Sequence, residues 1–196
     1  MVWAVLGKTT LTSAADSITV DSLPVKKHLL VQVKGIGTGG TINCNFTFNN
    51  DTGGNYAIRE SVNGGTDSTN VSQANTDNLT GTVTGNVFAT INIINIATEE
   101  KLFISEGLES ASGAGNAPER KEIVGKWANT SNAITVIKAN NGGGGSYDVG
   151  SELIVWGDDG TDASQTNIPN GSIHEESDTG KHQIWNSTTS TRTEIA

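Results

Sequence analysis

Several residue groupings in this chain have the types and spacing that do chemistry elsewhere, beginning with a glycine run. Gly35-Ile36-Gly37-Thr38-Gly39-Gly40 has the G-x-G-x-x-G spacing that lets a backbone turn approach a dinucleotide pyrophosphate. That use requires a helix to start at the turn, so that its first amides meet the phosphates. Here Thr41-Ile42-Asn43-Cys44-Asn45-Phe46 follows, alternating polar and apolar as a strand does. The glycines therefore read as a hairpin connection, and no cofactor is expected. Asn49, Asp51, Gly53 and Asn55 present oxygens at alternate positions. Calcium takes roughly six to eight oxygens, several of them from carboxylates. This loop offers one carboxylate and reads as a turn. Asp158, Asp159 and Asp162 are denser but read as a solvated charge run. Zinc needs clustered His and Cys. His28, His174, His182 and the single Cys44 are scattered, although His174 and His182 could face each other across a C-terminal hairpin.

Gly144-Gly145-Ser146-Tyr147-Asp148 opens as a nucleophile elbow would but lacks the closing glycine. Glu99/Glu100 and Glu175/Glu176 are adjacent pairs. Adjacent strand residues point to opposite faces, so neither pair shares a cleft by itself. No catalytic residue and no metal ligand is assigned, and the chain is read as non-enzymatic. Tyr147, between a glycine run and Asp148, is the candidate ligand contact, because an exposed ring beside polar partners can stack on a sugar. Trp127 shares strand parity with Ile123 and Gly125 and reads as core.

The elements that would position these residues are strands. Ile42, Cys44, Phe46 and Phe48 alternate with Thr41, Asn43, Asn45 and Thr47, the period of a half-buried antiparallel strand. Strands are expected at 2–6, 17–20, 28–35, 41–49, 55–62, 86–96, 101–107, 119–128, 132–139 and 151–157, separated by Gly, Asn, Asp and Ser. The run 87–96 is apolar on both faces and is expected to be a central strand covered on both sides, or one with a bulge. Residues 63–85 read as a long exposed excursion. The expected fold is all-β: an antiparallel, jelly-roll-like β-sandwich over 1–158, a linker over 159–170, and a C-terminal β-hairpin extension over 171–196. In that tail 172–176 and 181–186 form the hairpin, with 193–195 as a candidate third short strand. A lone hairpin is marginal in water, so Ile173, Ile184 and Trp185 need a partner surface and are the candidate assembly residues.

Hydrophobic residues make up 34% and charged residues 17% of the 196 positions, a balance that suits strands with one buried face better than disorder. The formal net charge of −9 disfavours nucleic acid and anionic membranes as partners. The opening Met-Val-Trp-Ala-Val-Leu-Gly-Lys has neither the basic start nor the long apolar run of a signal peptide. A protein made and left in the cytoplasm, or assembled there into a particle, is therefore expected.

Residues 46–58, Phe-Thr-Phe-Asn-Asn-Asp-Thr-Gly-Gly-Asn-Tyr-Ala-Ile, resemble the strand, F-N-x-D-T-G-x-N-Y, strand phrase of small phage tail and virion structural proteins. Trp3–Thr10 and Ser17–Pro24 resemble the first two strands of that family. Gly150–Gly157 resembles its closing G-S-x-I-x-L-Y-G strand. Residues 169–186 resemble its terminal D-T-G-K hairpin, with His182 and Gln183 near the usual aromatic positions and the second Trp absent. The resemblance implies a virion structural protein, whether capsid, decoration or tail component. Its partners would be copies of itself and other virion proteins. The alternative is a receptor- or glycan-binding module of a tail fibre or adhesin, with a host surface glycan as ligand.

Overall fold

In a computed structural model, residues 3–110, 113–160, 173–175, 182–186 and 191–195 are described. Among them every regular element is a strand. The chain divides into two compact units, Trp3–Asp159 and the residues from Gly160 onward. Of the expected linker over 159–170, residues 161–170 lie outside the described residues, as does the turn at 177–180.

The first unit is built from β1 (Ala4–Thr10), β2 (Ser17–Val20), β3 (His28–Thr38), β4 (Asn45–Phe48), β5 (Tyr56–Val62), β6 (Ser68–Gln73), β7 (Asn86–Ile94), β8 (Lys101–Glu109), β9 (Arg120–Trp127), β10 (Ile137–Asn140), β11 (Ser146–Tyr147) and β12 (Glu152–Asp158). A nine-stranded sheet runs β1-β12-β3-β7-β8-β9-β5-β6, with β11 beside β3. A three-stranded sheet, β2-β10-β4, packs on one face of it. All pairings are antiparallel, so the fold is the expected all-β sandwich.

The strand alternation sets which side chains enter the core. Val31, Val33, Ile91, Phe103, Ile123 and Val155 point inward from the large sheet and are buried. They meet Ile18, Val20, Phe46, Phe48, Ile137 and Ala139 from the small sheet, also buried. Removing this apolar area from water is the main driving force for closing the two layers.

Several expectations change. The 35–40 glycine run is not a hairpin turn, because β3 continues through Thr38 and the chain then crosses to the other sheet, where β4 pairs with β10. The stretch 63–85 is not wholly exposed. It contains β6, and its second half folds over the core, with Leu79, Thr76 and Thr80 at 0% exposure. Thr76 N and Leu79 N donate to Phe46 O and Cys44 O, so this segment finishes the free edge of β4. It passes so close to β8 that a Cβ on Gly107 would stand 1.8 Å from Leu79 O. The 132–139 strand begins only at Ile137, because the segment before it bonds to side-chain amides. Asn49 Oδ1 accepts from Thr135 N and Val136 N, and Asn95 Oδ1 from Ile134 N.

The second unit contains β13 (Ile173–Glu175), β14 (His182–Asn186) and β15 (Thr191–Ile195), a three-stranded antiparallel sheet. The third strand begins at Thr191, two residues before the expected 193–195 stretch. His174 opposes Gln183 and Glu175 opposes His182, so the two histidines do not face each other.

Candidate functional site: the open face of the large sheet

The phrase at 46–58 turns out to be a structural knot. Asn49 and Asn50 adopt positive φ of 52° and 57°, a conformation that asparagine tolerates better than most residues. The Asp51 carboxylate accepts from Gly53 N at 2.8 Å, Asn55 Nδ2 at 2.9 Å and the indole of buried Trp127 at 2.6 Å. Partial burial alone would raise the Asp51 pKa, but these donors outweigh it and hold the carboxyl below its ordinary range. Tyr56 OH accepts from Phe48 N and donates to Asp51 O. The carboxylate serves the turn, as its spacing implied, and Trp127 lies in the core.

Tyr147 is not a surface contact. Its side chain is 0% exposed, and its hydroxyl donates to Asn43 O at 2.7 Å. The small β11 strand turns the ring inward beneath β3, a placement that glycine-rich flanks conceal. Cys44 lies beside it. Burial pushes the thiol up to about 12, offset in part by the Tyr147 contact. Burial likewise pushes the phenol above its ordinary value. Both groups stay neutral parts of the core.

Asp159 pairs with Lys26 at 2.6 Å, Asp158 closes β12, and Asp162 lies outside the described residues. No group of three or more His, Cys, Asp or Glu among the described residues is placed to hold a metal ion. In the second unit the structure brings two of the assembly candidates together. Ile173 opposes Ile184, and Ile184 opposes Thr193 across β15. Ile173 is 63% exposed. The side chain of Trp185 lies outside the described residues.

The unusual surface is one the sequence pattern misassigned. β7 is covered on one face only: Val87, Ala89, Ile91 and Ile93 are buried, while Phe88, Asn92 and Ile94 are exposed. β8 repeats this with Leu102, Ile104 and Leu108 outward, and β9 with Val124. Register aligns these residues into rows across the sheet. One row reads Val5, Trp156, Leu30, Asn92, Ile104, Val124, Arg59. The next reads Lys8, Ile154, Gln32, Thr90, Glu106, Glu122, Ser61. A third reads Thr10, Glu152, Lys34, Phe88, Leu108, Arg120. Ile104 is 61% exposed, Leu102 53% and Val124 50%. A shallow depression of about 280 Å³ opens beside Ile104 and Val124, rimmed by Arg59, Asp67, Glu106 and Glu122. The apolar residues form two bands, Ile104 and Val124 in the first row and Phe88 and Leu108 in the third, divided by the polar second row of Gln32, Thr90, Glu106 and Glu122. Exposed apolar bands rimmed by polar groups mark candidate interaction surfaces. The strict alternation in 101–108 was the signal that could have found it.

The edges of this sheet are blunted. β1 carries a bulge between Val5 and Gly7, and the β5/β6 pairing shifts register between Tyr56 and Ile58. Such irregularities discourage strand addition at an edge. The outer face of the small sheet differs again, with Ser17, Thr19, Lys138, Asn140, Asn45 and Thr47 in register. A polar groove of about 320 Å³ lies there, lined by Asn45, Thr47, Asn75, Lys138 and Asn140 among others.

No protein-family model matches the chain, and no curated protein matches it. Among solved structures, the CBM2 module of the evolved Dit protein of Lactobacillus casei BL23 phage J-1 aligns at 12% identity over 76% of this chain and 75% of that one, with a TM-score of 0.18. At that overlap neither fold nor function transfers.

Proposed function

We propose that the protein is a virion structural subunit, a capsid, decoration or tail component, that is made in the host cytoplasm and assembles in symmetric copies. The observation that carries this reading is the open face of the large sheet, where Phe88, Ile94, Leu102, Ile104, Leu108 and Val124 stand exposed on three adjacent strands. A stable lone domain gains nothing from such a face, whereas a subunit buries it on assembly. The second unit supports the same reading, since exposed Ile173 beside Ile184 offers further apolar surface. Closed symmetry would multiply each contact without new sequence. The role is mechanical rather than catalytic, and needs no cofactor, nucleic acid or membrane.

Solution mass by light scattering tests it, for the full chain and for a chain ending at Asp159. A discrete oligomer is expected of the full chain. A monomer at every soluble concentration would overturn self-assembly.

A second reading has its own observation. The groove over β4 and β10 presents amides, hydroxyls and Lys138, groups that hydrogen-bond sugar hydroxyls. A glycan-array signal lost in Asn140→Ala would favour a receptor- or glycan-binding module.

A further inference from the structure

The open face has a layout that selects its occupant. We propose that it binds the same face of a second copy, about a two-fold axis lying in the interface and running along β7. This rests on the assembly reading and names the partner of that surface. Residues on either side of β7 form two flanks, β1-β12-β3 and β8-β9-β5. A copy turned over about β7 lays each flank on the other.

Apolar groups then meet apolar groups in the first row near the axis, while the second row sets Ile154 over Glu122 and Gln32 over Glu106. In the first row Leu30 lies over Ile104 and Trp156 over Val124. On the axis Phe88 and Ile94, 39% and 40% exposed, meet their own equivalents. Charges also meet their opposites. In the third row Glu152 on β12 lies over Arg120 on β9. Lys34 on β3 lies over Leu108, one row from Glu106 on β8. Each pairing occurs twice by symmetry, as an isologous contact requires.

The charge balance favours a second copy as well. Among exposed or half-buried outward positions of these strands there are Lys8, Lys34, Arg59, Arg120 and Lys126 against Glu106, Glu122 and Glu152. The whole chain carries −9. Two copies repel through most of their surface, and this face lacks that acidic excess. The bulged edges leave face-to-face packing, at the usual sheet separation of about 10 Å, as the available geometry.

The test uses the full chain, sedimentation equilibrium and a short thiol-to-thiol crosslinker. Cys44 is 0% exposed and does not compete. Asn92→Cys, on the proposed axis, is expected to crosslink into dimers at least tenfold faster than Thr52→Cys, an equally exposed position beside the small sheet. Ile104→Lys, at an exposed position, is expected to weaken association at least tenfold with an unchanged circular dichroism spectrum. Arg120→Glu and Glu152→Arg should each weaken it, and the double exchange should restore it. Association that survives Ile104→Lys but requires residues 160–196 would overturn this inference in favour of the C-terminal unit, leaving the assembly reading intact. A monomer with no crosslink would overturn both.

Discussion

The two outer faces of the sandwich obey one backbone rule and carry opposite chemistry. On the small sheet every outward strand position is polar: Ser17, Thr19, Asn45, Thr47, Lys138 and Asn140. On the large sheet the outward positions of β7, β8 and β9 include Phe88, Ile94, Leu102, Ile104, Leu108 and Val124. The small sheet sends only apolar side chains inward, and the large sheet sends mostly apolar ones, with Lys101, Ser105 and Lys121 among them. Strand propensity alone cannot produce the contrast, because Thr serves a strand surface as well as Ile does. The small sheet keeps its outer face polar even though those residues are half-buried and Thr47 is buried. The large sheet is built differently, and that is the reason to read it as a contact surface.

The comparison is broken most completely from beneath, by overfilling the interior that both faces share. Gly107→Ala places a methyl 1.8 Å from Leu79 O, a backbone atom that cannot step aside. Overpacking typically costs about 1–3 kcal/mol, and this site should sit at or above the top of that range. Urea unfolding would measure it, with both faces lost together. Asp51→Ala comes next. It removes the acceptor of the buried Trp127 indole and of Gly53 N and Asn55 Nδ2. A loss of about 2–3 kcal/mol is expected, since hydrogen bonds to a charged group are stronger than neutral ones. The effect carries a pH signature. The folded carboxyl is held below its ordinary value. Its stabilisation is therefore full above the unfolded value near ~4 and disappears as pH falls through the folded one. The gap between the native protein and Asp51→Ala should accordingly narrow in acid, and a gap independent of pH would refute the role given to the carboxylate.

Much of this fold was legible because alternation is a local property. Ile42, Cys44, Phe46 and Phe48 read as one inward face, and all are at 0% exposure. The failures have local causes as well. The run 87–96 looked covered on both sides, because a strand with an apolar contact face has the same pattern as a strand inside a protein. Tyr147 looked like a ligand contact because its flanks are glycines, and no local rule reveals that Asn43 O waits for its hydroxyl across the fold. Residues 76–80 looked like loop because their burial comes from lying across β8 rather than from periodicity. The contact face became visible only when register aligned residues that are far apart in the chain.

The smallest expected effect separates a resting face from a working one. Glu106 and Glu122 stand directly opposite each other on β8 and β9. Like charges so placed oppose folding, by a few tenths of a kcal/mol up to about 1 kcal/mol. A surface selected only for stability would have no use for the pair. Glu106→Gln should therefore stabilise the isolated subunit slightly against urea. In the face-to-face assembly Glu106 lies one row from Lys34 of the other copy, so the same substitution should weaken association, most clearly at low salt where screening is weak. Opposite signs in the two measurements are the expected result. If Glu106→Gln strengthened both folding and association, the carboxylate would be a plain cost in the assembly too, and the pairing of β3 with β8 across the axis would have to be abandoned.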